Sequence, residues 1–238
     1  MDGYGQFCPV SKAAEVLCQR WTLLIVRELL MGSTRFNEIQ RGVPTCSPAM
    51  LSKRLKELER AGVVERLSPG GSGSYRLTAA GRELLPVVAG LGEWGQRWAR
   101  TDYRPGELDP GLLLWDVRRN LSPGGLGDRP ATVQFVFPAL PVGRRFFWMV
   151  ADARDVDLCL TDPGREVDLT VEADVRSLTE IWMGDARFAD ALADGRVTLR
   201  GPSRLTRRFP AWFGRHPRFA GVRPARPPAP VPTARGSR

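Results

Sequence analysis

Residues 47–77 constrain the fold of this chain more than any other stretch. Ser47-Pro48 places a capping hydroxyl before a proline, a pattern that is typical of the first residues of a helix. Leucines then recur at three- and four-residue steps and share one helix face, at Leu51, Leu55 and Leu58. Two short predicted strands follow at residues 63–67 and 75–77, joined by a loop rich in Gly and Ser. The sequence therefore predicts a helix with a buried leucine stripe, followed directly by a β-hairpin.

Two further helical segments precede this helix. Apolar residues from Val10 to Leu30 recur at helical spacing, with a break expected near Gln19 and Arg20. Thr34 is expected to cap a short helix over residues 35–41. Three helices with a tight turn between the second and third, and then a hairpin, are the elements of a winged helix-turn-helix. We assign this fold to a first domain, residues 1–103.

A fourth helix closes the predicted first domain. Thr78 is expected to cap it, and it should run without interruption from Ala79 to about Arg100. Its apolar side chains form a long stripe made of Leu84, Leu85, Val88, Leu91, Trp94 and Trp98. A stripe of this length needs a partner surface, so we expect it to be the seam of a homodimer, helped by the residues before the first helix.

The third helix and the hairpin carry the residues expected to contact double-stranded DNA. The helix should present small and polar side chains outward, and Arg35 and the hairpin should reach the flanking backbone or the minor groove. The predicted DNA-contacting residues are Arg35, Ser47, Ala49, Met50, Lys53, Arg54, Ser72, Ser74 and Arg76. An ordinary solvated surface helix would have a similar charge pattern, and it stays the alternative interpretation.

The net charge of +9 is unevenly distributed along the chain. Residues 1–100 carry a net charge of +5, residues 101–213 of −2, and residues 214–238 of +6. A basic first domain and a basic end segment suit a polyanion such as DNA. Charge alone would suit a membrane surface equally well, so the motifs have to decide.

The pattern after residue 110 predicts an α+β domain over residues 110–220. Strands are expected at residues 131–137, 145–151, 157–161, 167–171 and 196–200, and helices at residues 174–183, 188–193 and 204–213. Residues 101–109 are a plausible linker. The Pro/Arg-rich segment 221–238 is expected to be disordered.

Several classes of protein and site find no support in the sequence. The four cysteines share no C-x-x-C spacing and the single histidine, His216, lies near the end, so we expect no metal site and no cofactor. The sequence contains no Ser/His/Asp set for nucleophilic catalysis and no glycine-rich phosphate-binding loop, so we do not expect an enzyme. No run is apolar enough to span a bilayer and no secretion signal is present, so the chain is expected in the cytoplasm and off the membrane.

Five ordered motifs resemble the HxlR family of regulators over residues 7–99. They are CPV at 8–10, RWTLLIVREL at 20–29, RFNEIQ at 35–40, MLSKRLKELERAGVVER at 50–66 and YRLTAAGRELLPVV at 75–88. The resemblance implies a dimeric winged-helix factor that binds an inverted repeat and acts as a repressor or an activator. It also places Cys8 where some members have a thiol sensor. A packed or idle cysteine is the alternative for Cys8, and the chain departs from the family at Cys18-Gln19-Arg20, where glycines are usual.

Residues 167–213 resemble the last half of sterol carrier protein type 2-like domains. A strand, a helix with Trp182 and Gly184, a second helix ending in DGR, another strand and a closing helix occur in matching order. The resemblance implies a sheet and helices around an apolar tunnel for a lipid-like ligand. Its candidate lining residues are Leu178, Ile181, Trp182, Leu192, Leu205, Phe209 and Phe213. The alternative is that these side chains are plain core.

Two functional hypotheses follow from the sequence. The first is a homodimeric DNA-binding regulator of transcription, modulated by a hydrophobic small molecule in the C-terminal domain. The second is a lipid-binding or carrier protein whose winged-helix head serves protein interaction.

Overall fold

The computed structural model describes residues 3–67, 73–100, 103–127 and 129–225, which form two packed units. We call residues 3–100 the N-terminal unit and residues 103–225 the C-terminal unit. The part of the predicted disordered tail from residue 226 onward lies outside the described residues. Within the described part, no helix has the length and apolar character needed to cross a membrane.

The N-terminal unit has the predicted winged helix-turn-helix order. Its elements are α1 (Pro9–Leu17), α2 (Thr22–Leu30), α3 (Phe36–Gly42), α4 (Pro48–Arg60), β1 (Val64–Arg66), β2 (Tyr75–Leu77), α5 (Ala79–Arg82) and α6 (Leu85–Trp94). The core of the unit consists of side chains from α2, α3, α4 and the hairpin, with Ile25, Ile39, Leu51, Leu55 and Leu58 at most 1% exposed. The three leucines that predicted α4 are therefore buried, as expected.

The break predicted near Gln19 and Arg20 is present. Helix α1 ends at Leu17 and α2 begins at Thr22, and between them Trp21 adopts a left-handed backbone with φ of 78°. A non-glycine residue in this region is uncommon and reverses the chain direction locally. The break lets α1 and α2 pack as separate helices.

The predicted single helix from Ala79 to Arg100 is wrong, because it is interrupted. Helix α5 ends at Arg82, α6 starts at Leu85 with Pro86 in its first turn, and a π-helical turn, Gly95–Ala99, follows α6. A proline ring collides with the carbonyl four residues earlier, which for Pro86 belongs to Arg82, and it has no N–H to donate. The helix therefore stops and restarts at this point.

The C-terminal unit is a five-stranded mixed sheet with helices packed on it. Its elements are α7 (Pro110–Arg118), β3 (Ala131–Val136), β4 (Phe146–Ala151), β5 (Val156–Cys159), β6 (Leu169–Ala173), α8 (Val175–Met183), α9 (Phe188–Ala193), β7 (Val197–Arg200) and α10 (Ser203–Phe213). The strand order is β5-β4-β3-β6-β7. The pairing of β3 with β6 is parallel and the other pairings are antiparallel. The predicted strands and helices are all present here, with ends shifted by up to two residues.

Helix α7 follows the predicted linker and was not expected from the sequence. The Asp109 carboxylate accepts the backbone N–H of Leu112 at 2.8 Å, and Pro110 occupies the first helical position. One face of the helix is fully buried, through Leu114 and Val117. The Asp-Pro pair that starts α7 is the same kind of signal that predicted α4, with Asp in place of Ser.

A buried carboxylate joins the two units. Glu28 of α2 is 0% exposed, and two of its donors come from the C-terminal unit. Trp115 Nε1 donates to Glu28 Oε2 at 3.2 Å and Arg119 Nη1 donates to the same oxygen at 2.8 Å. On the other side Arg27 Nη2 donates to Glu28 Oε1 at 2.8 Å. Because an unpaired buried charge is costly, this network fixes the C-terminal unit against α2.

The chain returns to the N-terminal unit after α10. The backbone N–H of His216 donates to the Trp182 carbonyl at 2.7 Å, and the N–H of Ala225 donates to the Arg97 carbonyl at 2.7 Å. Between them the ring of Phe219 lies so close to Gly92 of α6 that an added Cβ would be 2.4 Å from it. The end of the described chain thus packs along α6 and the π-helical turn.

Candidate nucleic-acid interface

The orientation of α4 is set by contacts at its start. Ser47 accepts the backbone N–H of Met50 at 3.2 Å, as an N-cap should. The Gln40 side-chain amide donates to the carbonyls of Val43 at 3.1 Å and Cys46 at 2.7 Å, which fixes the turn between α3 and α4. With its leucine stripe buried, the helix presents its opposite face outward.

The outward face of α4 is a basic stripe. Ala49, Lys53, Lys56 and Arg60 are exposed and follow one another at three- and four-residue steps, with half-buried Ser52 beside them. We call these five residues the α4 outer face. Lys56, Arg60 and Ser52 were missed by the sequence analysis, although Lys56 and Arg60 are three and seven residues after Lys53, a spacing that places them on the same helix face.

Arg54 is not part of this face, and its assignment as a DNA-contacting residue is corrected. It is only 8% exposed, because it lies at the flank of the leucine stripe and points toward the break between α1 and α2. Its Nε donates to the Arg20 carbonyl at 3.0 Å, and its Nη1 is 2.5 Å from Glu57 Oε2. Met50 is likewise half-buried and packs against the core. Neither side chain is presented to solvent as the prediction requires.

Arg35 and the hairpin lie next to each other. The backbones of Ser74 and Arg35 form an isolated antiparallel β-bridge, and the backbone N–H of Tyr75 donates to the Thr34 carbonyl at 2.7 Å. The residue at the N-cap position of α3 is Arg35 and not Thr34. Glu38 reaches back and accepts the N–H groups of Arg35 at 2.9 Å and Thr34 at 2.8 Å. These hydrogen bonds hold the Arg35 backbone in place while its side chain stays exposed.

Hydrogen bonds lower the pKa of two carboxyl groups near the hairpin, those of Glu38 and Glu65. Burial raises the pKa of Glu38, but the N–H groups of Arg35 and Thr34 outweigh it, so the pKa lies below its ordinary value. The hydrogen bond from Arg76 lowers the pKa of Glu65, its partner at 2.8 Å on the opposite strand. Arg76 is exposed and Ser74 is half-buried, whereas Ser72 lies outside the described residues.

Cys8 lies at the N-cap position of α1 and is half-buried. Its carbonyl accepts the backbone N–H of Lys12 at 3.1 Å. Cys8 is thus next to the N-terminus of α1. Cys46 beside α4 is fully buried, and burial raises the pKa of its thiol although Arg54 and Arg20 lower it.

The seven residues predicted to line a tunnel are packed core instead. Leu178, Ile181, Trp182, Leu205, Phe209 and Phe213 belong to the buried cluster of the C-terminal unit, and Leu192 packs against it. The rings of Phe209 and Phe213 are 5.8 Å apart and each also contacts Phe188. Apolar side chains at helical spacing fill the space over the sheet, so the prediction that this set forms a ligand pocket is corrected. Trp182 also borders a cavity between the units, and Leu192 a shallow surface groove.

Several apolar side chains of α6 and the following turn are exposed. Leu85, Leu91, Trp94 and Trp98 are 47–59% exposed, as is Val87. Leu84 and Val88, which the sequence analysis put in the same stripe, instead pack against the core of the N-terminal unit. Val87, Leu91, Trp94 and Trp98 follow one another at three- and four-residue steps and so share one side of the helix, and we call these four residues the α6 apolar face.

Comparison with known proteins places the similarity in the N-terminal unit. A family model described as HxlR-like helix-turn-helix matches residues 16–103. YvaP of Bacillus subtilis, named as an uncharacterized HTH-type transcriptional regulator, is 42% identical over 102 residues, which cover 41% of this chain and 94% of YvaP. The regulator sll1512 of Synechocystis, similarly named, is 33% identical over 103 residues, or 41% of this chain and 75% of the relative.

One solved structure similar to this chain is the reduced form of the transcriptional regulator YodB from B. subtilis. It is 36% identical, and the superposition covers 38% of this chain and 93% of that chain with a TM-score of 0.34. The alignments described here therefore span about two fifths of the chain and nearly all of YvaP and YodB.

Proposed function

This chain belongs to the HxlR-like helix-turn-helix family, and on this premise we propose that it acts as a homodimer on an inverted-repeat operator. It is a DNA-binding regulator of transcription of the winged helix-turn-helix type. The observation that carries the proposal is the α4 outer face. A basic stripe opposite a fully buried leucine stripe is what a helix needs to enter a major groove.

Each part of the interface has its own task in this proposal. Lys53 and Lys56 contact phosphates or base edges, while the exposed backbone at Ser47 and the small side chain of Ala49 allow close approach. Arg35 contacts the flanking phosphate backbone. Arg76, and Ser74 beside it, reach the adjacent backbone or minor groove from the hairpin.

Pairing of two chains supplies the affinity that one unit lacks. Two recognition helices about 34 Å apart would enter successive major grooves of B-DNA, so an inverted repeat is the expected operator. The α6 apolar face supports the pairing, because contiguous exposed apolar surface of this kind marks interaction sites.

DNA selection from a random library, followed by fluorescence anisotropy on the selected duplex, tests this proposal. We expect an inverted repeat, and a dissociation constant that rises on the order of tenfold for Lys53→Ala and for Lys56→Ala. The slope of log affinity against log salt should fall by about 1 for each lysine that contacts a phosphate. Arg187→Ala, an exposed arginine of the C-terminal unit, is the matched control and should change neither value. If neither lysine substitution changes the affinity for the operator, the α4 outer face is not the DNA-contacting surface.

For the C-terminal unit we propose the sterol carrier protein type 2-like fold and a role in modulating DNA binding by an apolar ligand. The order β6, α8, α9, β7, α10 supports the fold, as does Gly184, whose φ of 81° ends α8 directly after the Trp182 turn. The network around Glu28 supports the modulation, since it ties the unit to the helix-turn-helix. Mass spectrometry of extracts from the purified protein, and operator affinity before and after extraction, measure whether a ligand is carried and whether it matters.

A carrier protein with a winged-helix interaction head is the second candidate. The regulator predicts salt-dependent, sequence-selective binding to duplex DNA. The carrier predicts an extractable lipid and no sequence selectivity, so the selection experiment separates them.

A further inference from the structure

A cavity of about 670 Å³ lies between the two units. Its walls come from α2 and α6 of the N-terminal unit, and from α7, α8 and the returning segment around residues 216–219 of the C-terminal unit. Protein interiors rarely contain voids much larger than a water molecule, whereas small-molecule sites usually have volumes of about 300–1,000 Å³. The space between the units therefore has the volume of a small-molecule site.

Most of the lining is apolar. The two units contribute opposing walls, with Leu24, Val88 and Ala89 on one side and Leu112, Met183 and Phe219 on the other. Leu91 and Trp94 of the α6 apolar face form part of the rim. Burial of this surface by a ligand would be favourable at about 25 cal/mol per Å² of apolar area.

The charged groups of the lining balance one another. Three guanidinium groups, of Arg27, Arg119 and Arg218, line the cavity together with three carboxylates, of Glu107, Asp109 and Asp116. The remaining titratable side chain in the lining is His216, and burial lowers its pKa. The charge of Asp116 raises this pKa, but the charges of Arg119 and Arg218 lower it further. The net result is a lowered pKa, so the imidazole ring is uncharged near neutral pH. A lining without net charge favours an uncharged ligand.

His216 offers one hydrogen-bond donor to the cavity. Its Nδ1 accepts the backbone N–H groups of Arg218 at 3.2 Å and Phe219 at 3.1 Å, so the ring proton lies on Nε2. The nearest carboxylate oxygen, Asp116 Oδ2, is 3.7 Å from Nε2, which is beyond hydrogen-bond distance. Asp116 Oδ2 instead accepts from Trp182 Nε1 at 2.8 Å. An oxygen acceptor on a ligand would satisfy the Nε2 donor.

We propose that this cavity binds an uncharged, mainly apolar small molecule with one carbonyl or hydroxyl oxygen, which accepts the Nε2–H of His216. The ligand contacts both units at once. The ligand lies beside Arg119, which also donates a hydrogen bond to Glu28. An effect of the ligand on DNA binding rests on the proposed function, whereas its binding to the cavity does not.

Fluorescence titration of the full-length protein with prodan tests the site. Prodan is an uncharged naphthalene that carries a propionyl ketone, and 6-propyl-N,N-dimethyl-2-naphthylamine, which has a methylene in place of the carbonyl, is the matched compound without the ketone. We expect saturable binding of one prodan per chain, and about fivefold weaker binding of the naphthylamine, which is the usual net effect of one hydrogen bond. Binding to DNA plays no part in this readout, so it can fail or succeed independently of the proposed function.

Substitutions in opposite walls locate the bound probe. Ala89→Trp from α6 and Thr179→Trp from α8 fill the cavity and should weaken prodan binding at least about tenfold. Ala80→Trp, the same change on exposed α5 away from the cavity, is the control and should leave binding unchanged. Near-ultraviolet circular dichroism of each variant establishes that it is folded, and the two walls provide independent tests.

The His216→Asn variant tests the donor. An asparagine oxygen can still accept the two backbone N–H groups that Nδ1 accepts, but the Nε2 donor is lost. The fivefold preference for prodan over the naphthylamine should then disappear, while the naphthylamine affinity is kept. Absence of saturable prodan binding, or prodan affinity in both filled variants equal to that of Ala80→Trp, overturns the site. A ketone preference that survives in His216→Asn overturns the role of His216.

Discussion

Arg54 shows what decides the role of a charged residue on a helix. It is three residues after Leu51 and four before Leu58, so it lies at the edge of the buried stripe, and the break after α1 brings the Arg20 carbonyl within 3.0 Å. Helical spacing alone identified Lys53 as outward, because it lies opposite the leucines. The position of the Arg20 carbonyl depends on tertiary packing, and no local pattern encodes it.

The Arg54→Met variant should lose stability and keep its DNA specificity. The buried guanidinium gives up its hydrogen bond to Arg20 and its pairing with Glu57, at a cost of about 1–3 kcal/mol in the free energy of unfolding. Urea unfolding measures the change, with Lys53→Met as the exposed control, expected within about 0.5 kcal/mol of the wild type. Lost base discrimination at unchanged stability would restore Arg54 as a DNA-contacting residue.

A pair of glycines allows a second test at the residue scale. A Cβ on Gly42 would be 1.8 Å from the Glu28 carboxyl carbon, whereas a Cβ on Gly90 in α6 would meet nothing within 4 Å. Gly42→Ala should therefore destabilise the protein by about 3 kcal/mol, since it displaces a buried, paired carboxylate. Gly90→Ala should stabilise it by about 0.5–1 kcal/mol, because alanine is the better helix former.

Thermal unfolding of the two glycine variants gives the comparison directly. The expected result is a lower midpoint for Gly42→Ala and a slightly higher one for Gly90→Ala. Equal midpoints would mean that the Glu28 carboxylate can move away from Gly42 without cost.

At the scale of elements, the sequence predicted most of the architecture. The leucine stripe and the Ser47-Pro48 cap predicted α4 with its correct start, and strand-like runs of residues located the five strands of the C-terminal sheet. The predicted fourth helix continued past Pro86, although a proline in a helix interior is sufficient to end the helix. Helix α7 was overlooked because its Asp-Pro start lies directly after a segment that looked like a linker.

Helix α6 and the turn after it carry the next prediction. Trp98 is 56% exposed, belongs to the α6 apolar face and does not line the inter-unit cavity. Trp98→Lys should weaken dimerisation by about 30-fold or more, as loss of a tryptophan anchor usually does. Sedimentation equilibrium measures it, with Val142→Lys, also exposed but in the C-terminal unit, as the control. A dimer that is unaffected by Trp98→Lys would place the seam elsewhere.

At the scale of the whole molecule, contact between the units was the least predictable feature. Glu28 lies inside a motif that indicated an amphipathic helix and a family resemblance but no partner for the carboxylate, and its partners Trp115 and Arg119 are 87 and 91 residues away in sequence. No periodicity encodes a pairing across that distance. The cavity between the two units could not be predicted from the sequence for the same reason.

The shared network predicts that the two units unfold together. Differential scanning calorimetry of the full chain should show one transition, because opening the contact takes two hydrogen-bond donors from the Glu28 carboxylate. Arg119→Met removes one of these donors and should separate the trace into two transitions. Two transitions already in the wild type would mean that the network couples the units only weakly.

The partners of Glu28 also bear on the order in which the protein matures. Synthesis proceeds from the N-terminus, so α2 leaves the ribosome well before Trp115 and Arg119, and α6 well before Phe219 and Ala225. The helix-turn-helix is thus translated early, but its carboxylate receives its full set of donors only after α7 has emerged. In a nascent chain the contact between the two units therefore forms late, after α7 has been synthesised.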